Sequence, residues 1–241
     1  MITQTNNKKL TNDEKRIKII NLCLDAKKLI ASNKYQEAEK IYEKACRIAE
    51  NVYRQTMSNK DSKTLFECYM KMAEFYKDIN PNFELLQRWY QKIVYLKNTT
   101  CNTRASLEEY HELLEWYVST LFLMKDNHKY SDMVTYGFRM KNKAKSLYIK
   151  TKTIEDIKFV ILANLFIAEG YCHIDKKLKA YYYYKLVATK MEKIYFTILD
   201  EGLKYDLIDV YQKLSDLTNK KILKILNRKW SMKKQILKGA D

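Results

Sequence analysis

The histidines and cysteines are the side chains of this sequence whose types could support nucleophilic catalysis or metal binding. They are scattered and include no CxxC pair: His111, His128, His173, Cys23, Cys46, Cys68, Cys101 and Cys172. Cys172 and His173 are neighbours, but adjacent side chains on a helix point about 100° apart, so they do not form a catalytic pair. We therefore predict core or loop histidines and reduced thiols, which are typical of a cytoplasmic protein.

Clustered carboxylates are the other candidates for chemistry, and Glu37, Glu39 and Glu43 fall within one predicted helix. Lys40 and Lys44 are their helical neighbours, which is the composition of a solvated helix face. The sequence also contains no P-loop, GxSxG or HExxH motif. We therefore expect no catalytic residue, no metal site, no cofactor and no enzymatic activity.

Composition indicates which elements position these residues. The 241 residues include 4 Gly and 1 Pro, whereas average usage would give roughly 17 and roughly 12. A β-sandwich, a doubly wound sheet or a glycine-rich nucleotide loop would need more of both. Because 46% of the residues are hydrophobic and 13% aromatic, the chain can form a packed core, and we predict an all-α fold.

Apolar spacing predicts about ten helices joined by short polar loops. Three capping boxes, in which a hydroxyl residue precedes Glu by three positions, predict helix starts at Thr11, Thr64 and Ser106. The most apolar stretch, 159–168, is too short to cross a bilayer. We expect a flexible tail over 1–10 and a single domain over 11–241, with 203–238 as C-terminal capping helices.

An internal repeat organises the helices. A small or aliphatic residue recurs on the first helix of each predicted hairpin, at Ala26, Ala73, Leu121 and Ala168, which are 47, 48 and 47 residues apart. A small residue lets two antiparallel helices approach, and an aromatic residue one turn away fills the gap to the next hairpin. We therefore predict a right-handed solenoid of about five antiparallel helical hairpins.

Two of the repeats resemble the tetratricopeptide repeat, in residues Ala26, Leu29, Tyr35, Ala38, Tyr42, Ala45, Ala168, Tyr171, Ala180, Tyr184 and Val187. The period of about 47 residues exceeds that family's ~34, so relatives with long helices are closer. The basic stretch from Trp230 to Lys238 is similar to the terminal helix of the soluble NSF attachment proteins. These resemblances imply a non-enzymatic scaffold or adaptor that binds a helical or extended peptide segment.

The tetratricopeptide register also selects a candidate binding surface. One turn either side of the small residue on each first helix, side chains are expected on the concave face. They are Cys23, Lys27, Met70, Glu74, Lys77, Phe122, Lys125, Leu165, Glu169 and Cys172. This mixture of apolar and charged side chains favours an amphipathic peptide over a small polar metabolite.

The formal net charge of +16 is unevenly distributed. Segments 133–154 and 219–238 carry six and eight Lys or Arg residues and no acidic residue. They define a predicted basic face that consists of Arg139, Lys141, Lys143, Lys145, Lys220, Lys221, Lys224, Arg228, Lys229, Lys233 and Lys234. This face favours an acidic protein partner, with nucleic-acid phosphates or an anionic membrane surface as alternatives.

Four functions therefore remain open at the level of sequence. The leading one is a protein-interaction scaffold in the cytoplasm. The alternatives are a membrane-fusion adaptor like the soluble NSF attachment proteins, a peptide-sensing regulatory receptor, and RNA binding through the basic helices. The residues determine neither the identity of the partner nor the oligomeric state.

Overall fold

The computed structural model of the chain describes residues 10–101, 105–218 and 224–239, which are helical apart from short turns. The helices are α1 (Asn12–Ala31), α2 (Tyr35–Thr56), α3 (Asn59–Glu74), α4 (Phe83–Thr100), α5 (Leu107–Asp126), α6 (Tyr130–Thr151), α7 (Ile154–His173), α8 (Lys177–Ile198), α9 (Glu201–Thr218) and α10 (Lys224–Lys238). Helix α3 continues into one π-helical turn, Phe75–Ile79. No strand occurs in the described residues, and the predicted all-α fold is confirmed.

The chain forms two compact units, Met1–Ala105 and Ser106–Asp241. The first unit contains the hairpins α1/α2 and α3/α4, and the second contains α5/α6, α7/α8 and α9/α10. The single domain expected over 11–241 stays a prediction, as does the expected tail, most of which lies outside the described residues. In the described parts of the chain, no helix combines the length and apolarity needed to cross a membrane.

The turns repeat with the predicted period. The middle residue of the turn inside a hairpin adopts a left-handed backbone conformation, with φ of 56° at His128 and 57° at Asp175, 47 positions later. The turn between hairpins does the same at Lys152 and Leu199, which are also 47 residues apart. The backbone of the second unit therefore repeats in the register that the small residues indicate.

Small residues allow the closest helix approaches. Ala26, Ala73 and Ala168 are all buried, as the repeat predicts. Helices α6 and α7 pack through Gly170, where an added Cβ would lie 2.6 Å from Val134 Cγ2 and 3.0 Å from the carbonyl oxygen of Tyr130. Because neither neighbour is the free end of a flexible side chain, this position admits glycine best.

Two of the three predicted helix starts are confirmed, because Thr11 and Ser106 each form a complete capping box. The prediction at Thr64 is wrong. Thr64 lies inside α3, where its hydroxyl donates to the carbonyl oxygen of Lys60. The cap of α3 lies six residues earlier, at Ser58, whose hydroxyl accepts a hydrogen bond from the backbone N–H of Asp61.

Candidate protein-interaction site

A buried carboxylate joins the two hairpins of the first unit. Asp61, at the start of α3, is 1% exposed. It accepts two 2.8 Å hydrogen bonds from the Arg16 guanidinium of α1 and one each from the hydroxyls of Thr56 and Ser58. The Arg16 bonds, with the two hydroxyls, hold the pKa of Asp61 well below its usual range. This joint fixes α3 beside α1.

The second unit repeats the joint 95 residues later. Asp156 starts α7, is 1% exposed, and accepts hydrogen bonds from the hydroxyls of Thr151 and Thr153. Its other oxygen lies 2.6 Å from Nε2 of His111 on α5. Burial alone would raise the pKa of Asp156, but these hydrogen bonds outweigh burial and lower it. His111 therefore occupies the position that Arg16 has in the first unit.

The joints place successive first helices side by side. On α5 and α7, the rings of Phe122 and Phe166 meet edge to face with centroids 5.1 Å apart. The Lys125 ammonium lies 2.9 Å from the Glu169 carboxylate. Three residues of the predicted concave surface, Phe122, Lys125 and Glu169, thus belong to one contiguous layer of first helices.

A groove of about 480 Å³ lies between α1 and α3 in the first unit, and we call it the α1/α3 groove. Ile17, Ile20 and Leu24 line it at i, i+3 and i+7 of α1, and each is at least half exposed. The thiols of Cys23 and Cys68 also line it. An apolar stripe left open on a helix is typical of a surface that a partner covers.

A second groove of about 490 Å³ lies between α7 and α9, and we call it the α7/α9 groove. Its lining residues are Lys158, Ile161, Leu162, Leu165, Glu169, Tyr184, Met191, Ile198, Asp200, Gly202, Leu203, Asp206, Asp209, Val210 and Lys213. The buried side chains among them are all apolar or aromatic, whereas the charged ones are exposed or half-buried. This arrangement gives an apolar floor with a charged rim.

The predicted concave residues divide between these features. Cys23 and Lys27 line the α1/α3 groove, and Leu165 and Glu169 line the α7/α9 groove. The other six line neither groove: Phe122 and Lys125 contact α7 from α5, Met70 is half-buried, Glu74 pairs with Lys71, Lys77 lies in the π-helical turn, and Cys172 is exposed. Contact of these residues with a partner stays a prediction.

The predicted basic face is only partly directed toward solvent. Lys233 pairs with Glu192 of α8 at 2.7 Å, and Lys234 donates to the side chain of Gln212 of α9. Lys141 lies over the rings of Phe138 and Tyr183, and burial, with a smaller effect of Lys145, lowers its pKa. These three lysines contribute to packing between helices.

The remaining cations of the basic face differ in their exposure to solvent. Arg139, Lys145, Arg228 and Lys229 are exposed, and Lys143 is half-buried. Arg139 lies over the Tyr136 ring, and Lys229 lies over the Trp230 ring. Lys220 and Lys221 lie outside the described residues, and Lys224 is placed only as the first residue of α10.

The histidines take no part in a recognisable catalytic or metal centre of the described residues. His173 stacks on Tyr130 with centroids 3.9 Å apart, and His128 Nδ1 lies 2.9 Å from the hydroxyl oxygen of the same tyrosine. No group of three or more potential ligands among the described side chains is placed to hold a metal ion.

The buried joints were not anticipated from the sequence, although a signal for them exists. Thr56, Ser58 and Asp61 have the same spacing as Thr151, Thr153 and Asp156, so a hydroxyl–x–hydroxyl–x–x–Asp pattern occurs twice. The pattern resembles ordinary helix capping, which explains why it does not identify a buried carboxylate by itself.

No protein-family model matches the chain, and no curated protein matches it. Among solved structures, BtubC (BKLC) from P. vanneervenii aligns with a TM-score of 0.52 at 11% identity, over 95% of this chain and 82% of that one. The fold is a tetratricopeptide-like helical repeat. The predicted resemblance is therefore confirmed at the level of fold.

Two further similar structures have lower TM-scores. The TPR-like repeats of a Podosopora anserina putative kinesin light chain align with a TM-score of 0.48 at 10% identity, over 92% of this chain and 95% of that one. The nuclear import adaptor Nro1 from S. pombe aligns with a TM-score of 0.43 at 10% identity, over 94% of this chain and 93% of that one.

Proposed function

We propose that this chain is a non-enzymatic protein-interaction scaffold or adaptor that binds an amphipathic helical segment of a partner protein between its first helices. The observation that carries the proposal is the recurrence of an apolar, open groove between successive first helices. One lies between α1 and α3, and the other lies between α7 and α9. An amphipathic helix that lies in a hydrophobic groove buries its own apolar stripe and leaves its polar face in water.

Selection of random 16-residue peptides displayed on phage, with the full chain as target, tests this proposal. We expect enriched peptides with apolar residues at i, i+3 or i+4, and i+7. The affinity of each peptide should fall at least tenfold in one of two double variants. Ile20→Gln/Leu24→Gln alters the α1/α3 groove, and Leu162→Gln/Leu203→Gln alters the α7/α9 groove. Complete burial of an exposed Ile or Leu side chain contributes about 1.5–3 kcal/mol, and the half-buried Leu162 and Leu203 contribute a part of this. Fluorescence anisotropy of the enriched peptides gives the dissociation constants.

Ile149→Gln is the matched control, because Ile149 is an exposed aliphatic residue of α6 that lines neither groove. It should leave peptide affinity within twofold of the wild type. Circular dichroism checks that every variant keeps its helix content. If folded variants of both grooves bound the enriched peptides as tightly as the wild type, the proposed function would be wrong.

A second candidate function, binding of an acidic protein through the basic face, is favoured by a specific observation. Arg139, Lys145, Arg228 and Lys229 are exposed and form no ion pair within the described part of the chain. Cations that are not neutralised within the protein attract an acidic partner and accelerate its association. RNA and anionic membranes would respond to the same charges and are the alternatives to be separated by experiment.

A 20-residue poly-glutamate peptide should bind through these cations. We expect its affinity to fall at least fivefold between 50 and 200 mM NaCl and by a similar factor in Arg228→Gln/Lys229→Gln at 50 mM. The reason is that exposed charges interact through a screened field. Lys176→Gln/Lys177→Gln, two exposed lysines at the start of α8, serve as the charge-matched control. Preferential binding of a poly-uridine RNA or of phosphatidylserine vesicles would refute the acidic-protein assignment.

We also propose a cytoplasmic location. Its support is that all five cysteines are free thiols, including Cys23 and Cys68, which line the same groove. Contact with the Cys23 thiol lowers the pKa of Cys68, but contact with Cys46 and burial outweigh it and raise this pKa to about 12, so the Cys68 thiol stays protonated at neutral pH. Free cysteines in this number are typical of a reducing compartment.

A further inference from the structure

The two grooves differ in charge although they share an apolar floor. The charged side chains that line the α1/α3 groove are Asp13, Glu67, Arg16, Lys27, Lys60 and Lys71, with a formal sum of +2. Those of the α7/α9 groove are Glu169, Asp200, Asp206, Asp209, Lys158 and Lys213, with a formal sum of −2. A negative groove is unexpected in a chain with a net charge of +16.

The negative charge of the α7/α9 groove is concentrated on α9. Glu169 is already paired with Lys125, and Asp200 caps α9 by accepting a hydrogen bond from the backbone N–H of Leu203. Asp206 and Asp209 form no ion pair with any described residue, and Lys158 and Lys213 do not approach them within 4 Å. Two carboxylates beside an apolar floor are thus left without an ion pair in the described structure.

The surroundings of Asp206 disfavour its charged form. Partial burial raises the pKa of Asp206, and the nearby charges of Asp209 and Asp200 raise it further. A carboxylate that is partly desolvated and faces like charges is stabilised by any cation placed against it. The free energy recovered in this way is available to a positively charged ligand and not to an acidic one.

The spacing of the lining residues favours a helical ligand. Leu203, Asp206 and Val210 lie at i, i+3 and i+7 along α9, and all three line the groove. Leu162 and Leu165 line it from α7. Asp206 and Asp209 are three residues apart, which is about 4.5 Å along a helix. Basic residues at i and i+3 or i+4 of a helix in the groove match this separation.

We propose that the α7/α9 groove binds a basic amphipathic helix of a partner protein, with its apolar stripe on Leu162, Leu165 and Leu203 and its Lys or Arg residues against Asp206 and Asp209. This inference rests on the proposed function and adds the charge of the partner. The ligand of this groove is positively charged, whereas the ligand proposed for the basic face is negatively charged.

The test uses two 18-residue peptides with the same pattern of leucines. One peptide has lysine at every polar position, and the other has glutamate there. Each carries a benzophenone at one apolar position. Photocrosslinking to the full chain, followed by mass spectrometry, reports where each peptide lies. Fluorescence anisotropy at 50 and 300 mM NaCl reports affinity. We expect the lysine peptide to crosslink to segments 158–169 and 198–213, and the glutamate peptide to crosslink elsewhere.

Charge variants sharpen the test. Asp206→Asn/Asp209→Asn should weaken the lysine peptide about fivefold at 50 mM NaCl, and Asp206→Lys/Asp209→Lys at least tenfold, because exposed charge pairs are modest individually and screened by salt. Asp132→Asn/Glu155→Gln removes two exposed acids of the same unit that lie outside the groove. This control should change affinity less than twofold.

Three outcomes would overturn the inference. The first is equal or stronger crosslinking of the glutamate peptide to the groove, which would leave the proposed function intact. The second is an equal loss of affinity in the control pair. The third is a wild-type dimer, detected by light scattering, that Asp206→Lys/Asp209→Lys dissociates, because the occupant would then be a second copy of the chain. Failure of both peptides to crosslink to either groove would instead contradict the proposed function itself.

Discussion

Replacing Asp61 by Ala is expected to lower the free energy of unfolding by about 3 kcal/mol, among the largest effects of any single substitution in the first unit. The carboxylate is buried and accepts hydrogen bonds from Arg16, Thr56 and Ser58. Its removal leaves these donors facing a cavity, and a buried donor without an acceptor is costly. Urea unfolding followed by circular dichroism, with hydrogen exchange resolved by helix, measures the loss.

Asp13→Ala is the matched control, because Asp13 pairs with the same guanidinium but is exposed. It should cost less than about 0.5 kcal/mol. The equivalent substitution in the second unit, Asp156→Ala, should again cost about 2–3 kcal/mol. A cost below 1 kcal/mol for both buried aspartates would show that the joints do not stabilise their units.

The same joint predicts a pH dependence with a definite sign. The folded pKa of Asp61 is lowered from an unfolded value of about 3.9. Its contribution is therefore fully present above about pH 5 and is lost as the pH falls through the lower, folded pKa. The difference in unfolding free energy between wild type and Asp61→Asn should be constant from pH 5 to 8 and should shrink below pH 4. A difference that grew toward acidic pH would contradict this origin.

Replacing Trp230 by Ala is expected to release α10 from the second unit. The indole is 3% exposed and stacks on the Tyr211 ring with centroids 5.8 Å apart. Loss of a buried tryptophan costs about 3–5 kcal/mol, and among the described helices α10 packs mainly against α9. We expect amide hydrogens of α10 to exchange at least a hundredfold faster while those of α7 change little. Hydrogen exchange with mass spectrometry measures both helices in one sample.

Trp230→Phe separates packing from hydrogen bonding. The indole Nε1 is buried and has no hydrogen-bond partner among the described residues, so phenylalanine gives up no hydrogen bond there. It should cost about 1 kcal/mol and keep α10 protected. If phenylalanine released α10 as fully as alanine does, burial of an aromatic ring would not be what holds this helix.

The repeat period was the part of the fold that sequence could predict best. Ala26, Ala73, Leu121 and Ala168 identified every first helix from α1 to α7, and all four are buried in the structure. Small residues carry this information because close helix packing excludes larger ones. The same reason accounts for Gly137 of α6, which packs against α7. An added Cβ there would lie 2.8 Å from Ile167 Cγ1.

The candidate site could be predicted from the sequence only in part. Charge counting defined a basic face, but whether a lysine faces water or pairs inward depends on its neighbours across the hairpins. Lys233 illustrates the difficulty, because its partner Glu192 is 41 residues away. The negative groove was missed for the same reason. Asp206 and Asp209 belong to a helix of unremarkable charge, and only the fold places them beside an apolar floor.

The left-handed turns have a consequence for what holds each unit together. Asn33, Met57, His128, Lys152, Asp175 and Leu199 adopt positive φ, and no glycine does so among the described residues. This conformation costs a residue with a side chain about 1–2 kcal/mol. Three of these turns lie inside hairpins and three lie between them, so the cost falls on both kinds of connection. The free energy that closes every turn must therefore come from packing between the helices and not from the turn residues themselves.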